Sequence, residues 1–74
     1  MERVIEQRVR EAAKARRAGQ EVEFHMRGEW GDRLMVARYG GADHAIFRGG
    51  SSQADFEARQ QEVLNLFAEM VHAG

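Results

Sequence analysis

SQADFEARQQEVLNLFAEMVHA, residues 52–73, is the stretch of the 74-residue sequence that determines its fold. Its apolar residues recur at the spacing of one broad helix face: Phe56, Val63, Leu64, Leu66, Phe67, Met70 and Val71. A helix with so wide an apolar face is stable only when a sheet or another helix covers it. The stretch therefore predicts a last helix that packs on the rest of the domain.

The residues in front of this helix predict where it begins. Gly49, Gly50 and Ser51 interrupt any preceding strand. Ser52 stands three residues before Asp55, as in a capping box with aspartate in place of the usual glutamate or glutamine. The glycines would also suit a phosphate at a helix N-terminus, but the lysine of a phosphate-binding loop is missing. The pattern predicts a turn followed by a capped helix.

Residues 21–27, EVEFHMR, carry the clearest strand signal in the chain. Val22, Phe24 and Met26 point to one side, while the charged residues and His25 point to the other. Residues 28–32, GEWGD, contain two glycines that can adopt positive φ, and they predict a hairpin loop.

Two further strands are predicted, at residues 33–39 and 44–48, with a turn at 40–43 between them. In the second strand, apolar residues fall on both sides, so that alternation does not choose a face. In the third, Ile46 and Phe47 are expected on opposite faces.

Residues 2–18 predict a first helix, with Met1, Ile5, Val9 and Ala12 on one face and Gly19 where a C-terminal cap is expected. Glutamates near its start and arginines near its end complement the helix dipole. Its opposite side carries a basic stripe: Arg3, Arg10, Lys14 and Arg17.

The element order α-β-β-β-α predicts one α+β domain over residues 1–74, a three-stranded antiparallel sheet with two helices packed on one face. Two helices cover only one face of such a sheet. The covered face is predicted to hold Val22, Phe24, Met26, Leu34, Val36 and Phe47. The other face would then show Glu23, His25, Arg27, Met35, Ala37, Tyr39 and Ile46.

This uncovered face is the first candidate binding surface. It is predicted to dock another protein or a second copy of the chain, either directly or through an edge strand beside it. Apolar anchors surrounded by a polar rim are typical of interfaces. The predicted anchors are Met35 and Tyr39, and the predicted rim is Glu23 and Arg27. His25 and Ile46, on the same face, complete the candidate protein-binding residues of the sheet. The alternative is a surface with scattered apolar residues, which is normal for soluble proteins.

Trp30, the only tryptophan, lies at the predicted hairpin tip. A tryptophan there either folds back over an open edge of the core or is presented to a partner. The sequence leaves these two alternatives open, and Trp30 joins the candidate protein-binding residues.

No residue pattern points to catalysis, a metal or a cofactor. The chain has no cysteine, and its three histidines, His25, His44 and His72, fall on three different elements without metal-ligand spacing. Ser51 and Ser52 are explained by capping, and no motif supplies a base beside them. We therefore expect neither an enzyme nor a cofactor-binding protein.

The net charge of −1 conceals an asymmetry. Residues 1–19 hold six basic and three acidic side chains, a net charge of +3, whereas residues 50–74 hold one basic and four acidic, a net charge of −3. The element order and the Gly50-Ser51-Ser52 turn loosely resemble double-stranded-RNA-binding domains. That family grips phosphates with lysines at the start of its last helix, where this chain has Gln53, Ala54 and Asp55. Nucleic-acid contacts would then rest on the basic stripe, for which a solvated helix face is the alternative.

The sequence thus favours a small non-catalytic module that works through protein–protein contacts. Very small domains without cysteine, cofactor or catalytic residues are typical of regulators and inhibitors. Phage or mobile-element proteins that block host defence complexes, such as anti-CRISPR proteins, are one class of this kind. The alternatives are a nucleic-acid-associated module and a homo-oligomeric structural subunit. Charged residues follow Met1 in place of an apolar signal segment, and no run has membrane-spanning length, so we expect a cytoplasmic protein without membrane contact.

Overall fold

The computed structural model describes residues 2–73, which form two helices and three strands in the predicted α-β-β-β-α order. The elements are α1 (Arg3–Arg17), β1 (Glu23–Arg27), β2 (Leu34–Tyr39), β3 (Ala42–Arg48) and α2 (Gln53–Ala73). The strands form an antiparallel meander in the order β1-β2-β3, and side chains of both helices join one core on one face of the sheet. The predicted α+β fold is confirmed.

The end of α1 and the start of α2 carry caps at the predicted residues, although the Asp55 carboxylate accepts from the Ser51 hydroxyl and not from the main chain as in a capping box. Gly19 has φ +96°, and the N–H groups of Gly19 and Gln20 bond back to the carbonyls of Arg16 and Ala15, a Schellman motif. At the start of α2, the Ser52 hydroxyl accepts a hydrogen bond of 3.1 Å from the N–H of Asp55.

The hairpin between β2 and β3 is tighter than the sequence predicts. β3 begins at Ala42 and pairs with Tyr39, so that only Gly40 and Gly41 form the turn. Their φ angles of +62° and +78° match a two-residue turn with positive φ at both central positions, which glycine adopts without strain.

The predicted orientation of β2 is wrong. Met26 pairs with Met35 and Phe24 with Ala37, so that Met35, Ala37 and Tyr39 lie on the same face as the apolar residues of β1. Met35 and Ala37 are completely buried under the helices. A register shift of one residue reverses every side chain of a strand. Because β2 has apolar residues on both sides, its sequence does not determine which side faces the helices, and the pairing with β1 decides it. Leu34 and Val36 face away from the helices.

The expected opposite placement of Ile46 and Phe47 is also wrong, because β3 contains a bulge. Met35 pairs with Phe47 and Val36 pairs with Ala45, which leaves Ile46 as the extra residue. Both side chains reach the core, with 0% of Ile46 and 4% of Phe47 exposed.

The helices contact different parts of the sheet. α1 lies toward β3, where Arg8 donates a hydrogen bond of 3.2 Å to the carbonyl of Ile46. α2 begins beside β3, where Phe56 packs on Phe47 with ring centroids 4.9 Å apart, and reaches β1 further along, where Phe67 packs edge-on against Phe24 at 5.0 Å. At the far end, Arg17 donates to the Met70 carbonyl at 2.8 Å and holds the ends of the two helices together. Within residues 2–73, neither helix is both long and apolar enough to span a membrane.

Candidate functional site

The sheet face opposite the helices carries ion pairs that join its strands. Asp43 on β3 accepts a hydrogen bond of 2.8 Å from Arg38 on β2 and forms an ion pair with Arg27 on β1 at 2.9 Å. These contacts span all three strands, and Val36 on the same face is only 2% exposed. We call Arg27, Arg38 and Asp43 the charged lattice. Because this face carries ion-paired charges and its central Val36 is buried, it differs from the apolar docking surface predicted from the sequence.

His25 lies on the same face and pairs with Val36 in the sheet register. Its Nε2 is 3.7 Å from Glu23 Oε2, too far for a hydrogen bond, and it is buried without a hydrogen-bond partner among the described residues. His25 and Glu23 therefore extend the charged lattice along β1 without completing a catalytic pair.

The ion pairs of the lattice shift the ionisation of Asp43. The hydrogen bond from Arg38, supported by the nearby charges of Arg27 and Arg38, lowers the pKa of Asp43 below its usual 3.8. The same hydrogen bond raises the pKa of Arg38. A lowered folded-state pKa means that the ionised carboxylate stabilises the folded protein.

Asp43→Asn is expected to lower the melting temperature at pH 7. The stabilisation by ionised Asp43 is present above the unfolded-state pKa near 3.8 and is lost as the pH falls through the lower folded-state pKa. The difference in melting temperature between wild type and variant should therefore shrink on acidification below that value. Melting curves followed by circular dichroism from pH 7 to pH 2 measure this. Glu69→Gln, at an exposed carboxylate of α2, is the control and should follow the wild-type curve. A gap that stays constant with pH would contradict the assignment.

Trp30 is partly exposed and also packs on the core, so the structure excludes neither of the two alternatives left by the sequence. Its side chain is 46% exposed. Its ring meets the edge of the buried Phe56 ring at a centroid distance of 5.7 Å and an interplanar angle of 77°. The guanidinium carbon of Arg33 lies 4.5 Å from the indole centroid, a cation–π distance. We call Trp30, Arg33 and Phe56 the Trp30 cluster.

The loop that carries Trp30 is held by hydrogen bonds at both ends. Arg33 donates to the Gly28 carbonyl at 3.2 Å, and the Asp32 N–H donates to the Glu29 carbonyl at 3.0 Å. Gly28 has φ +86°, and a Cβ atom there would come within 3.2 Å of the Asp32 carbonyl oxygen. Trp30 is therefore presented by an ordered turn.

The β3 end supplies a second anchor for the same loop. Arg48 donates to Asp32 at 2.9 Å, and the Gly49 N–H donates to the Arg33 carbonyl at 2.8 Å. The Asp32–Arg48 ion pair is well exposed and places charged groups beside the loop that carries the indole.

The seven predicted protein-binding residues do not form one surface. Met35 and Ile46 are fully buried in the core, where no partner reaches them. Tyr39 is half-buried on the helix side and stacks on His44 with ring centroids 3.9 Å apart. Burial, aided by the charge of Glu11, raises the pKa of Tyr39. Glu23, His25 and Arg27 remain on the open face, and Trp30 lies apart from them on the helix side.

Sequence reasoning missed Arg33 and Phe56 as parts of the Trp30 cluster. Arg33 follows Trp30 by three residues. The two side chains meet only because the chain turns tightly between them, and the sequence does not determine the geometry of that turn. Phe56 was recognised only as core, because its contact with the hairpin loop depends on how α2 packs.

The predicted basic stripe is partly used within the protein. Arg10 pairs with Glu6 at 3.2 Å, and Arg17 bonds to the Met70 carbonyl. Around Arg3, the surface forms a concavity of about 620 Å³ whose lining comes from α1 alone: Arg3, Val4, Glu6, Gln7, Arg8 and Arg10. Since no second element contributes a wall, the concavity is a groove between side chains of one helix.

Residues 2–73 contain no group of three histidine, aspartate or glutamate side chains placed to hold a metal ion. No protein-family model, curated protein or solved structure matches the chain.

Proposed function

We propose that this chain is a small non-catalytic protein-binding module that contacts its partner through the Trp30 cluster and acts as a regulator or inhibitor by covering a partner surface. The observation that supports this is that Trp30 is 46% exposed and yet its indole packs against both Phe56 and Arg33. The sheet face that the sequence favoured is replaced as the binding surface by the β1–β2 loop.

The energetics of binding favour such a residue. Tryptophan and arginine are the side chains most enriched among those that carry the binding energy of interfaces. Ordering a flexible side chain on binding costs free energy, whereas an aromatic ring already fixed by its neighbours avoids much of that cost. Trp30 and Arg33 therefore present apolar area and a planar cation in a preorganised arrangement.

The neighbouring charges suit the rim of the same interface. Asp32 and Arg48 lie on the loop side of the cluster, largely exposed, with the ion pair between them. Rim charges affect association rate and partner choice more than affinity. We expect the partner surface to offer an apolar pocket for the indole with polar groups around it.

Trp30→Ala is expected to weaken partner binding by about tenfold or more, the usual effect of removing an aromatic hot spot. The test immobilises the purified chain, captures proteins from an extract of the source organism, identifies them by mass spectrometry and titrates the leading one against wild type and variant. Val4→Ala is the matched control, because Val4, at 56% exposure, is the other large exposed apolar residue within residues 2–73.

Binding that Val4→Ala and wild type share and Trp30→Ala loses would support the proposal, provided that Trp30→Ala keeps the wild-type circular dichroism spectrum. Equal binding by wild type and Trp30→Ala would rule out the Trp30 cluster as the contact surface.

A further inference from the structure

The outer edge of β1 is available for strand pairing. Among the described residues, β1 pairs with β2 only, through a regular register from Glu23–Arg38 to Arg27–Leu34. Its other edge therefore presents main-chain N–H and C=O groups with no strand beside them. Unprotected edges of this kind template the addition of another strand.

The opposite edge of the sheet is protected in the way that natural proteins protect edges. β3 contains the bulge at Ile46, which interrupts the regular spacing of main-chain groups. The carbonyl of Ile46 already accepts a hydrogen bond from Arg8 on α1. β1 has neither device, so the two edges differ in their readiness to pair.

The sequence of β1, Glu23-Phe24-His25-Met26-Arg27, is complementary to itself. When two copies pair antiparallel about His25, Glu23 of each lies opposite Arg27 of the other, and Phe24 lies opposite Met26. Opposite charges and apolar pairs placed directly across two strands both stabilise a sheet. The charge pairs fall on the face of the charged lattice, and the apolar pairs fall on the face of the core.

Arg27 can serve both contacts. Its guanidinium has five N–H donors, of which the contact with Asp43 engages one nitrogen. Among the described residues Glu23 makes no side-chain hydrogen bond, and its one ion pair is the 3.7 Å approach to His25, although its charge also acts on its cross-strand partner Arg38, so its carboxylate can accept from a second copy.

Beside β1, α2 carries an apolar flank that the monomer does not fully cover. Leu64, Phe67 and Val71 lie at spacings of three and four residues, which makes one stripe of the helix, and each is half-buried. Phe67 packs on Phe24 of β1, which places the stripe on the side of the open edge. A stable interface buries about 1,600 Å² in total, more than a five-residue strand edge provides, and the two α2 flanks would supply the remainder.

We propose that two copies of this chain associate through β1, antiparallel about His25, to form a continuous six-stranded sheet with four helices on one face. The contact is isologous, as in most two-fold dimers, and it closes on itself. It goes beyond the proposed function: the dimer carries two Trp30 clusters, and its existence does not depend on any partner protein.

The test measures the molar mass of the purified chain by light scattering on a size-exclusion column over a micromolar concentration series. We expect a mass about twice the 8.4 kDa of one chain. Glu23→Arg places arginine opposite Arg27 at both symmetric positions and should raise the dimer dissociation constant about tenfold or more. Glu69→Arg makes the same charge change on the outer side of α2 and should remain dimeric.

Mixing two variants gives a more selective result. Arg27→Glu alone places glutamates opposite each other, but an equimolar mixture of the Glu23→Arg and Arg27→Glu chains restores two opposite-charge pairs in the heterodimer. At a concentration at which the wild type is dimeric, we expect each variant to be largely monomeric alone and the mixture to be dimeric, with folded circular dichroism spectra throughout.

A monomeric wild type would overturn the proposal, as would a dimer that Glu23→Arg and Glu69→Arg affect equally. The comparison of Glu23→Arg with Glu69→Arg does not use the Arg27→Glu chain. It therefore decides the question even when Arg27→Glu does not fold because its contact with Asp43 is lost. Failure here would leave the Trp30→Ala comparison intact, since the two surfaces are separate.

Discussion

Met35→Glu is expected to unfold the domain. Met35 is 0% exposed and lies at the centre of the core, between β1 and β3 and under the helices. Losing the packing of a buried methionine costs about 2–5 kcal/mol, and burying a carboxylate without a partner adds several kcal/mol or forces its protonation. A domain of this size has a stability of roughly 4–11 kcal/mol. Circular dichroism should therefore show a disordered chain at 25 °C.

Leu34→Glu, one residue earlier, is the matched control. Leu34 lies on the opposite face, is half-buried, and pairs with Arg27 on one side and Arg48 on the other. A glutamate there would stand between two arginines, an arrangement that stabilises neighbouring strands. We expect a folded protein with a melting temperature near that of the wild type. A folded Met35→Glu variant together with an unfolded Leu34→Glu variant would show that β2 has the opposite orientation.

Phe56→Ala is expected to have the second-largest effect. Phe56 is 1% exposed, packs on Phe47 with centroids 4.9 Å apart, and supports both Trp30 and Arg33. Replacing a buried phenylalanine by alanine costs about 3–5 kcal/mol, because packing is lost and a cavity remains. This is a large part of the total stability, and denaturant titration should show a midpoint far below that of the wild type.

Phe67→Ala provides the comparison for Phe56→Ala. Phe67 also makes an edge-on aromatic contact, with Phe24, but it is only half-buried. We expect a smaller loss of stability and unchanged Trp30 fluorescence, whereas any folded fraction of Phe56→Ala should emit at longer wavelength, because its indole has lost its support. Equal losses from the two substitutions would contradict the placement of Phe56 at the centre of the core.

The sequence predicted correctly those helices and strands in which apolar residues lie on one side only. β1 alternates because its two faces have different environments, and the apolar stripe of α2 shows where the core lies. The caps at Gly19 and at Ser52 depend on local chemistry, and the structure shows both. In each case, residues close together in sequence determine the result.

The orientation of β2 could not be predicted in this way. Val36 is as buried as the core residues, but it lies on the opposite face of the sheet, where Arg27, Arg38 and Asp43 form ion pairs. A strand covered on both sides has no alternation to read. The register with β1 decides the face, and periodicity within β2 does not contain that information.

The bulge at Ile46 and the charged lattice were missed for a related reason. A bulge changes which side a residue faces through one unpaired position, and no residue type in β3 marks it. The Arg27–Asp43 contact joins strands that are not neighbours in the sheet. Predicting it requires the strand order and the register together, as does the meeting of Trp30 with Phe56.

The central claim, that partners bind at the Trp30 cluster, is tested most directly by the fluorescence of Trp30 itself. Since the chain contains one tryptophan, its emission reports this site when the partner is unlabelled and free of tryptophan or its emission is subtracted. The account predicts that saturating partner shifts the emission to shorter wavelength and protects the indole from acrylamide quenching, because a 46% exposed ring becomes buried. Stoichiometric binding with unchanged emission and unchanged quenching would contradict it.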